Sequence, residues 1–336
     1  MVTAIKRILV AFIALVVTMP IIGVLYQTIS TKLDDSAYPA PGTFVEANGA
    51  RLHVVCEGGG LPVVLFETGL GGDARWTWKR ITKKLSANNK TCYYDRAGYG
   101  WSSVSNTSRS VHNLAVDLAA VADHVAPNSP LVLVGHSFGG PIIRAYAKGH
   151  TSRVAGMVFV DSSHEEQGVR LSAGAGVTEN GLSRLIYEYG APVGWGRLTK
   201  RGDLPKNDTI DDDDYGRLIA HASQNKFVQS YLAESDLWVV DRVGPDFDYD
   251  FGDTPIFVIS QETDLNVPDE DKADAAIWAE MQQELAGLSR DSEFRMPEGA
   301  PHGIPYFMPE EVINAVNNVL ARAKKKRRTE GSARRF

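Results

Sequence analysis

Cysteine is scarce in this chain, whose 336 residues include only Cys56 and Cys92. Two distant thiols exclude a disulfide-stapled scaffold and the clustered ligands of a structural zinc site. No segment recurs at a fixed period, which excludes a solenoid or a propeller. The run Asp211–Asp214 lacks the glycine and the closing glutamate of an EF-hand loop. We therefore expect a solvated loop or a helix N-terminus there, and no metal site.

Acidic side chains outnumber basic ones outside the C-terminal end. The formal net charge is −6, but residues 322–336 hold eight basic side chains and one acidic one, a net +7 that leaves −13 on the rest of the chain. Because binding to phosphates requires a basic surface, the acidic body excludes a nucleic-acid partner. The tail at 325–336 is expected to be a solvated terminus, with contact to anionic lipid or nucleic acid as the alternative.

Charge is missing altogether from Ile8–Tyr26, an almost entirely apolar run. A helix of this length measures about 28 Å, close to the roughly 30 Å of a bilayer's hydrocarbon core. Two basic residues precede the run and two acidic residues follow it, so the positive-inside tendency places the N-terminus in the cytoplasm and the body outside. We expect residues 1–31 to be a single-pass membrane anchor. A secretory signal that is cleaved to release the body is the alternative.

Short apolar segments alternate with helical ones along most of the remaining chain. Apolar runs bounded by glycine or proline are typical of buried parallel strands. The alternation predicts an α/β fold, a mainly parallel eight-stranded sheet with helices on both faces. The expected strands are Phe44–Glu46, Arg51–Cys56, Val63–Glu67, Lys90–Tyr94, Leu131–Val134, Gly156–Val160, Pro255–Ile259 and Glu293–Met296. The expected helices are Trp76–Ser86, Val111–Val125, Pro141–His150 and Pro309–Lys324.

Residues 165–250 depart from this alternation, because they contain helix-like segments and no strand signal. We expect them to form a helical lid insertion at the carboxyl edge of a core built by residues 32–164 and 251–324. Its aromatic side chains are candidates for lining a substrate pocket, and equally for forming the insertion's own core. These candidates are Tyr187, Trp195, Tyr231 and Trp238.

The segment Gly135-His136-Ser137-Phe138-Gly139 directly follows an apolar strand and directly precedes a helix. A serine hydroxyl is a poor nucleophile until a base removes its proton, and it must stand clear of the backbone to reach an acyl carbon. A sharp strand-to-helix turn meets the second requirement by holding the serine in a strained conformation, and only glycine fits two residues either side. The backbone N–H of Phe138, at the start of the helix, can stabilise a developing oxyanion.

This Gly-x-Ser-x-Gly turn in its strand–helix context resembles the nucleophile elbow of the α/β-hydrolase superfamily. The resemblance covers residues from about 44 to 324. Glu67-Thr68-Gly69-Leu70 stands where family members carry an oxyanion loop, which implies the backbone N–H of Leu70 as the second oxyanion donor. Tyr94–Ser102 resembles the family's loop after the fourth strand and is interpreted as structural. The family's strand order places Cys56 beside Cys92, where they either form a disulfide or remain two buried thiols.

The resemblance also implies a catalytic triad with Ser137 as nucleophile. His302 follows the last predicted strand, where the family's histidine stands, and His164 is the only rival base. Two acids remain open. Asp264 lies in a loop similar to the family's acid loop after the seventh strand, and it is the favoured acid. Asp161 closes the sixth strand, where some members place theirs. His136 is expected to point away from the serine.

These roles predict a serine hydrolase that cleaves a carboxylic ester, as an esterase or a lipase does, through an acyl-enzyme. The partner is a small acyl substrate, with no metal and no organic cofactor. Two alternatives stay open: an amidase or aminopeptidase with the same triad, and a non-catalytic protein that uses the fold as a ligand pocket. Chemistry that needs an aspartate nucleophile is disfavoured, because position 137 is serine.

Overall fold

The computed structural model of the chain describes residues 2–171, 181–199, 210, 212–239, 249–263 and 269–333. It divides into two compact units, one made of Met1–Ala40 with Glu179–Leu232 and the other of Pro41–Thr178 with Ala233–Phe336. The second unit contains the whole sheet, and we describe it first.

Eight strands form one sheet in the order β1-β2-β4-β3-β5-β6-β7-β8. Strands β1, β2 and β4 pair antiparallel, and all other neighbours pair parallel. The central strands are buried along their whole length, as their unbroken apolar sequences predict. The sheet predicted from the sequence is therefore confirmed. The strands are β1 (Thr43–Ala47), β2 (Ala50–Glu57), β3 (Val63–Glu67), β4 (Thr91–Tyr94), β5 (Leu131–His136), β6 (Val154–Val160), β7 (Ile256–Ile259) and β8 (Ser292–Arg295).

Helices pack on both faces of the sheet and bury one apolar cluster on each. One cluster joins the strands to α3, α4 and the end of α10, and the other joins them to α2, α11 and α12. The helices are α1 (Val2–Ala37), α2 (Ala74–Leu85), α3 (Val111–Val125), α4 (Gly139–Gly149), α5 (Gln167–Arg170), α6 (Leu182–Gly190), α7 (Trp195–Thr199), α8 (Asp212–Ala222), α9 (Asn225–Val239), α10 (Asp269–Ala286), α11 (Ile304–Phe307) and α12 (Pro309–Ala333).

Helix α10 is absent from the helices predicted by sequence. Its sequence is rich in acids and alanine, so it lacks the strong apolar periodicity by which helices are recognised. Only a few of its side chains turn inward, among them Trp278 and Met281. This helix supplies part of the site described below.

Cys56 and Cys92 lie directly opposite each other on β2 and β4 and form a disulfide. Of the two possibilities that the sequence left open, the structure contains the cross-linked one. The pair joins the antiparallel part of the sheet to the strand that leads into the Tyr94–Ser102 loop.

The other unit combines α1 with α6, α7, α8 and most of α9. Helix α1 is long and apolar enough to cross a membrane, with a mean hydropathy of 2.9 over its best window, and none of that window is buried. A signal sequence near an N-terminus has the same character. Helix α8 begins within the aspartate run, and the carboxylates of Asp212, Asp213 and Asp214 fall in its first turn, where the helix dipole favours them.

Candidate active site

Ser137 sits on the turn between β5 and α4 with a backbone φ of +51°, in the left-handed region that non-glycine residues rarely adopt. The turn leaves no room for side chains on either side. A Cβ on Gly135 would lie 2.8 Å from the carbonyl oxygen of Gly139, and one on Gly139 would lie 2.6 Å from that of Glu67. Close backbone packing on both sides of the turn holds Ser137 in this strained conformation and places its hydroxyl at the carboxyl end of the sheet.

His302 brings both of its ring nitrogens into hydrogen-bond range of side chains from distant parts of the chain. Its Nε2 is 3.1 Å from the Ser137 Oγ, and its Nδ1 is 2.5 Å from the Asp161 Oδ2. The ring lies on the loop between β8 and α11 and is half exposed, whereas Asp161 is fully buried. The three groups thus form a continuous line from a buried carboxylate to an accessible hydroxyl.

The carboxylate of Asp161 is fixed by donors other than His302. Its Oδ1 accepts hydrogen bonds from the Gln261 backbone N–H at 2.9 Å and from the Trp278 Nε1 at 2.8 Å. Asp161 also has a positive φ of +40°, so the chain bends sharply where β6 ends. Trp278 was not among the residues singled out from the sequence, because α10 itself was missed.

Of the two candidate triad acids, Asp161 lies within the residues that the structure describes and Asp264 does not. Asp161 contacts His302 directly, as described above. The distances therefore favour Asp161, the less favoured of the two acids in the sequence.

His136 is buried behind the site and holds the His302 loop in place. Burial, with the neighbouring His302 as the smaller cause, lowers the pKa of His136 to about 4. The ring is therefore neutral at pH 7, and its Nε2, 3.0 Å from the His302 carbonyl oxygen, must carry the proton and donate it. Its Nδ1 has no hydrogen-bond partner within the described residues. The sequence indicated only that this ring points away from the serine.

The two candidate oxyanion donors flank the nucleophile. Phe138 immediately precedes α4. Leu70 immediately follows Gly69, whose backbone runs so close to the nucleophile that a Cβ there would lie 3.1 Å from the Ser137 Cβ. Phe138 itself is buried in the core.

A buried charge network contacts the end of β3 and the loop that follows it, at Glu67, Thr68 and Gly69. The Arg96 guanidinium donates to the carbonyl oxygens of Thr68 at 2.5 Å and Gly69 at 2.9 Å, and it pairs with Glu67 at 2.8 Å. It also pairs with Glu234 at 2.8 Å. Arg96 therefore fixes the backbone on the N-terminal side of Leu70, a role that the structural interpretation of the Tyr94–Ser102 loop did not specify.

The two carboxylates of this network, Glu67 and Glu234, each contact an arginine. Burial opposes ionisation of Glu234, but Arg96 and Arg109, each 2.8 Å away, outweigh it and lower the pKa of this carboxyl. The Tyr99 hydroxyl donates to the same carboxylate at 2.9 Å. Burial raises the pKa of Glu67, which also accepts a short hydrogen bond from the Tyr94 hydroxyl. Each buried charge thus has an opposite charge in contact, as stable burial of ions requires.

His164, the rival base, is engaged elsewhere. Its Nε2 lies 3.2 Å from a Glu284 carboxylate oxygen. His164, Glu166 and Glu284 have ligand atoms close enough together to hold a metal ion. The Arg170 guanidinium contacts both of these carboxylates, at 3.4 Å and 2.8 Å, and already supplies a positive charge to them.

The four aromatic candidates of the insertion are only partly accounted for. Tyr187 and Trp195 line a cavity of about 150 Å³ together with Val228. Tyr231 stacks with Phe227 against the insertion's own apolar cluster. Trp238 falls in the last turn of α9, where side chains lie outside the described residues. Their role as substrate contacts stays a prediction.

Comparisons with known proteins agree with this architecture. Residues 63–315 match the profile of the alpha/beta hydrolase family. An uncharacterized protein of Schizosaccharomyces pombe is 25% identical over 302 residues, which are 80% of this chain and 54% of that protein. The chain spans about half the length of the curated relatives it matches first.

Solved structures show the same fold. A thermophilic esterase from Thermogutta terrifontis superimposes with a TM-score of 0.55 at 21% identity, over 84% of this chain and 99% of the esterase. An epoxide hydrolase from Bacillus megaterium gives 0.61 at 16% identity, over 83% of this chain and all of that one. At such identities the likeness carries the fold and not the reaction.

Proposed function

Because the chain belongs to the alpha/beta hydrolase family, we propose that it hydrolyses a carboxylic ester with Ser137 as nucleophile, His302 as base and Asp161 as the triad acid. One observation carries the proposal: the Ser137 Oγ and the Asp161 carboxylate lie at 3.1 Å and 2.5 Å from the two nitrogens of one imidazole. That arrangement is what activation of a serine hydroxyl requires.

The reaction follows from the position of each proton. The Asp161 carboxylate accepts a hydrogen bond from the Nδ1–H of His302, so the lone pair of Nε2 faces the serine. As the Ser137 Oγ attacks the ester carbonyl, Nε2 takes the hydroxyl proton, and the imidazolium that forms is stabilised by Asp161. The backbone N–H groups of Phe138 and Leu70 receive the oxyanion.

Two half-reactions complete the turnover. The tetrahedral intermediate collapses, and the alcohol leaves with the proton from Nε2 of His302. Water then enters, gives a proton to the same nitrogen and attacks the acyl-enzyme. The acid is released and the Ser137 hydroxyl is restored. Every step uses groups of this chain and the substrate, and none calls on a metal or a cofactor.

The two similar solved structures are enzymes of different chemistry, an esterase and an epoxide hydrolase. The residue at the elbow favours the first. The epoxide hydrolases of this fold use an aspartate nucleophile, as the family resemblance implies, and this chain has Ser137 on the strained turn. An acyl carbonyl is the electrophile that a serine between two oxyanion donors is built to attack.

Hydrolysis of p-nitrophenyl esters of graded acyl length by the full chain, beside amino-acid arylamides, tests the proposal. We expect ester cleavage that Ser137→Ala abolishes, together with covalent labelling of Ser137 by a fluorophosphonate. Faster cleavage of arylamides would instead make the protein an amidase or aminopeptidase. Absence of both hydrolysis and labelling in a folded sample would indicate a non-catalytic binding protein.

We also propose that α1 spans a membrane with its N-terminus in the cytoplasm. The support is its length and its uncharged run Ile8–Tyr26, preceded by Lys6 and Arg7. Fractionation of cells that produce the full chain should leave it in the membrane pellet after alkaline washing. Recovery of a soluble form that lacks the first residues would favour the cleaved signal.

A further inference from the structure

Helix α6 has an apolar stripe that the described residues leave uncovered. The stripe positions recur at i, i+3, i+4 and i+7, which is one face of a helix. Their side chains are 41–72% exposed, and no residue of this helix is buried. The opposite face carries Arg184 and Glu188, whose charged groups lie 4.0 Å apart. The α6 stripe consists of Leu182, Leu185, Ile186 and Tyr189.

Helix α7, which follows α6, also exposes apolar side chains. Trp195 and Leu198 of α7 are 47% and 67% exposed. The two helices touch at Gly190, where a Cβ would lie 2.8 Å from the Cβ of Trp195. An amphipathic helix beside an exposed tryptophan and leucine is the composition of a segment that lies at a membrane surface.

Close packing against α1 shows beside which residues of α1 helix α6 ends. The short turn Ala191–Val193 directly follows α6 and rests on α1 at Gly23, where a Cβ would lie 2.7 Å from the Val193 Cβ. Gly194 in turn lies against the ring of Tyr26. Gly23 stands three residues before the end of the apolar run, or about 5 Å at the helical rise. The C-terminal end of α6 therefore lies near the end of the apolar run of α1.

Polar contacts between α1 and the insertion begin immediately beyond that point. The Gln27 side chain donates to the Ser223 carbonyl oxygen at 2.8 Å and accepts from the Arg197 Nε at 2.7 Å. The same guanidinium reaches Asp34 and, at 3.1 Å, Thr31. Gln27 and Arg197 are both buried. Along α1, apolar packing thus gives way to hydrogen-bonded polar and charged groups, which are costly to bury in hydrocarbon.

We propose that the α6 stripe lies in the headgroup region of the leaflet from which α1 emerges, with its apolar side chains against the acyl chains. The inference rests on the membrane-spanning role proposed for α1. We assign the lipid bilayer as the partner that covers the stripe, because α6 leads directly to Val193, and Val193 contacts Gly23 within the apolar run of α1. A second copy of the chain is the competing occupant.

Depth-dependent quenching in vesicles tests the proposal with the full chain. A nitrobenzoxadiazole label is attached to an added cysteine in Leu185→Cys, and the protein is reconstituted into phosphatidylcholine vesicles. The native cysteines are joined to each other and leave the added thiol as the target. Arg184→Cys, on the opposite face of α6, is the matched control, and Leu15→Cys marks the middle of the apolar run of α1. Quenching lipids carry a doxyl group near either the headgroup end or the methyl end of the acyl chain.

We expect the label at position 185 to shift to shorter emission wavelength and to be quenched most by the shallow doxyl group. The label at position 184 should show neither effect, and the label at position 15 should be quenched most by the deep group. Quenching at 15 without quenching at 185 would overturn the inference and leave the anchor intact. Absence of quenching at 15 would overturn both.

Two further readouts separate the remaining explanations. Chemical cross-linking between cysteines at position 185 of two copies, without lipid quenching, would assign the stripe to self-association and overturn the proposal. Ester hydrolysis measured in the same vesicles reports on Ser137 independently, so failure of the proposed chemistry and failure of the membrane contact give different results.

Discussion

The sheet unit and the unit that joins α1 to the insertion differ in what they hide from water. The sheet unit buries charges, and Arg96, Glu67 and Glu234 are all at most 3% exposed. The other unit also buries charges, at Arg197 and Arg217, but most of its apolar side chains along α1 and α6 are exposed, among them Leu182 at 72%. Buried charges persist only where partners are fixed around them, and exposed apolar groups persist where a non-aqueous partner covers them. The first arrangement suits a rigid catalytic site, and the second suits contact with a surface.

The largest effect is expected from the acid of the site. Asp161→Asn keeps the shape of the side chain but removes the negative charge and favours the wrong tautomer of His302, so kcat should fall by about 10⁴-fold. Asp264→Asn is the matched control and should leave kcat within a few-fold. Steady-state ester hydrolysis by the two variants measures the difference. A large loss in Asp264→Asn with little loss in Asp161→Asn would return the acid role to Asp264.

The next effect concerns the buried charges of the sheet unit. Arg96→Met leaves Glu67 and Glu234 without their shared partner, and removing one member of a buried pair typically costs about 3–5 kcal/mol. Lys84→Met breaks an exposed pair with Glu310 and should cost less than about 1 kcal/mol. Denaturant unfolding in detergent compares the two variants. Equal destabilisation would show that the network adds nothing that a surface pair does not.

The sequence predicted those features of the sheet unit that depend on a local pattern of residues. Buried strands, the glycines around Ser137 and a histidine after the last strand each follow from a short stretch of residues. The acid did not follow, because Asp161 and Asp264 come after neighbouring strands, and chain order is the same for both. Trp278 was missed with its helix, whose exposed acids and alanines hide its few inward-facing residues.

The contacts of the other unit were beyond reach for a different reason. Nothing in the sequence near Gly23 or Gln27 indicates that Val193 and Ser223, well over 100 residues away, pack against them. The sequence predicts helices in this region, but it does not show whether the apolar stripe of α6 faces a core or stays exposed, because that depends on tertiary packing. Local pattern therefore predicted the sheet unit well, but for the unit that contains α1 it predicted only the individual helices.

His136 gives the sheet unit a pH dependence. Its pKa of about 4 in the folded chain lies below the ordinary value of 6.5, so the unfolded chain binds the proton more tightly. Stability is complete above about pH 6.5 and is lost as pH falls toward 4, by about 3 kcal/mol in total. In His136→Gln, which can still donate to the His302 carbonyl, this loss should disappear. Denaturant midpoints measured across that range check it, and parallel curves for the two proteins would contradict it.

A pair of leucines, one in each unit, sharpens the contrast between the units and includes the smallest expected effect, that of Leu185→Ala. Leu133 lies in the middle of β5 and is fully buried, so Leu133→Ala should cost about 2–5 kcal/mol of unfolding free energy. Leu185 belongs to the α6 stripe and is 51% exposed, so Leu185→Ala should change the unfolding free energy by no more than about 0.5 kcal/mol. Both are read from denaturant unfolding in detergent. A cost for Leu185→Ala as large as that for Leu133→Ala would mean that the stripe packs against protein, and the contrast between a buried core and a surface open to lipid would fail at this position.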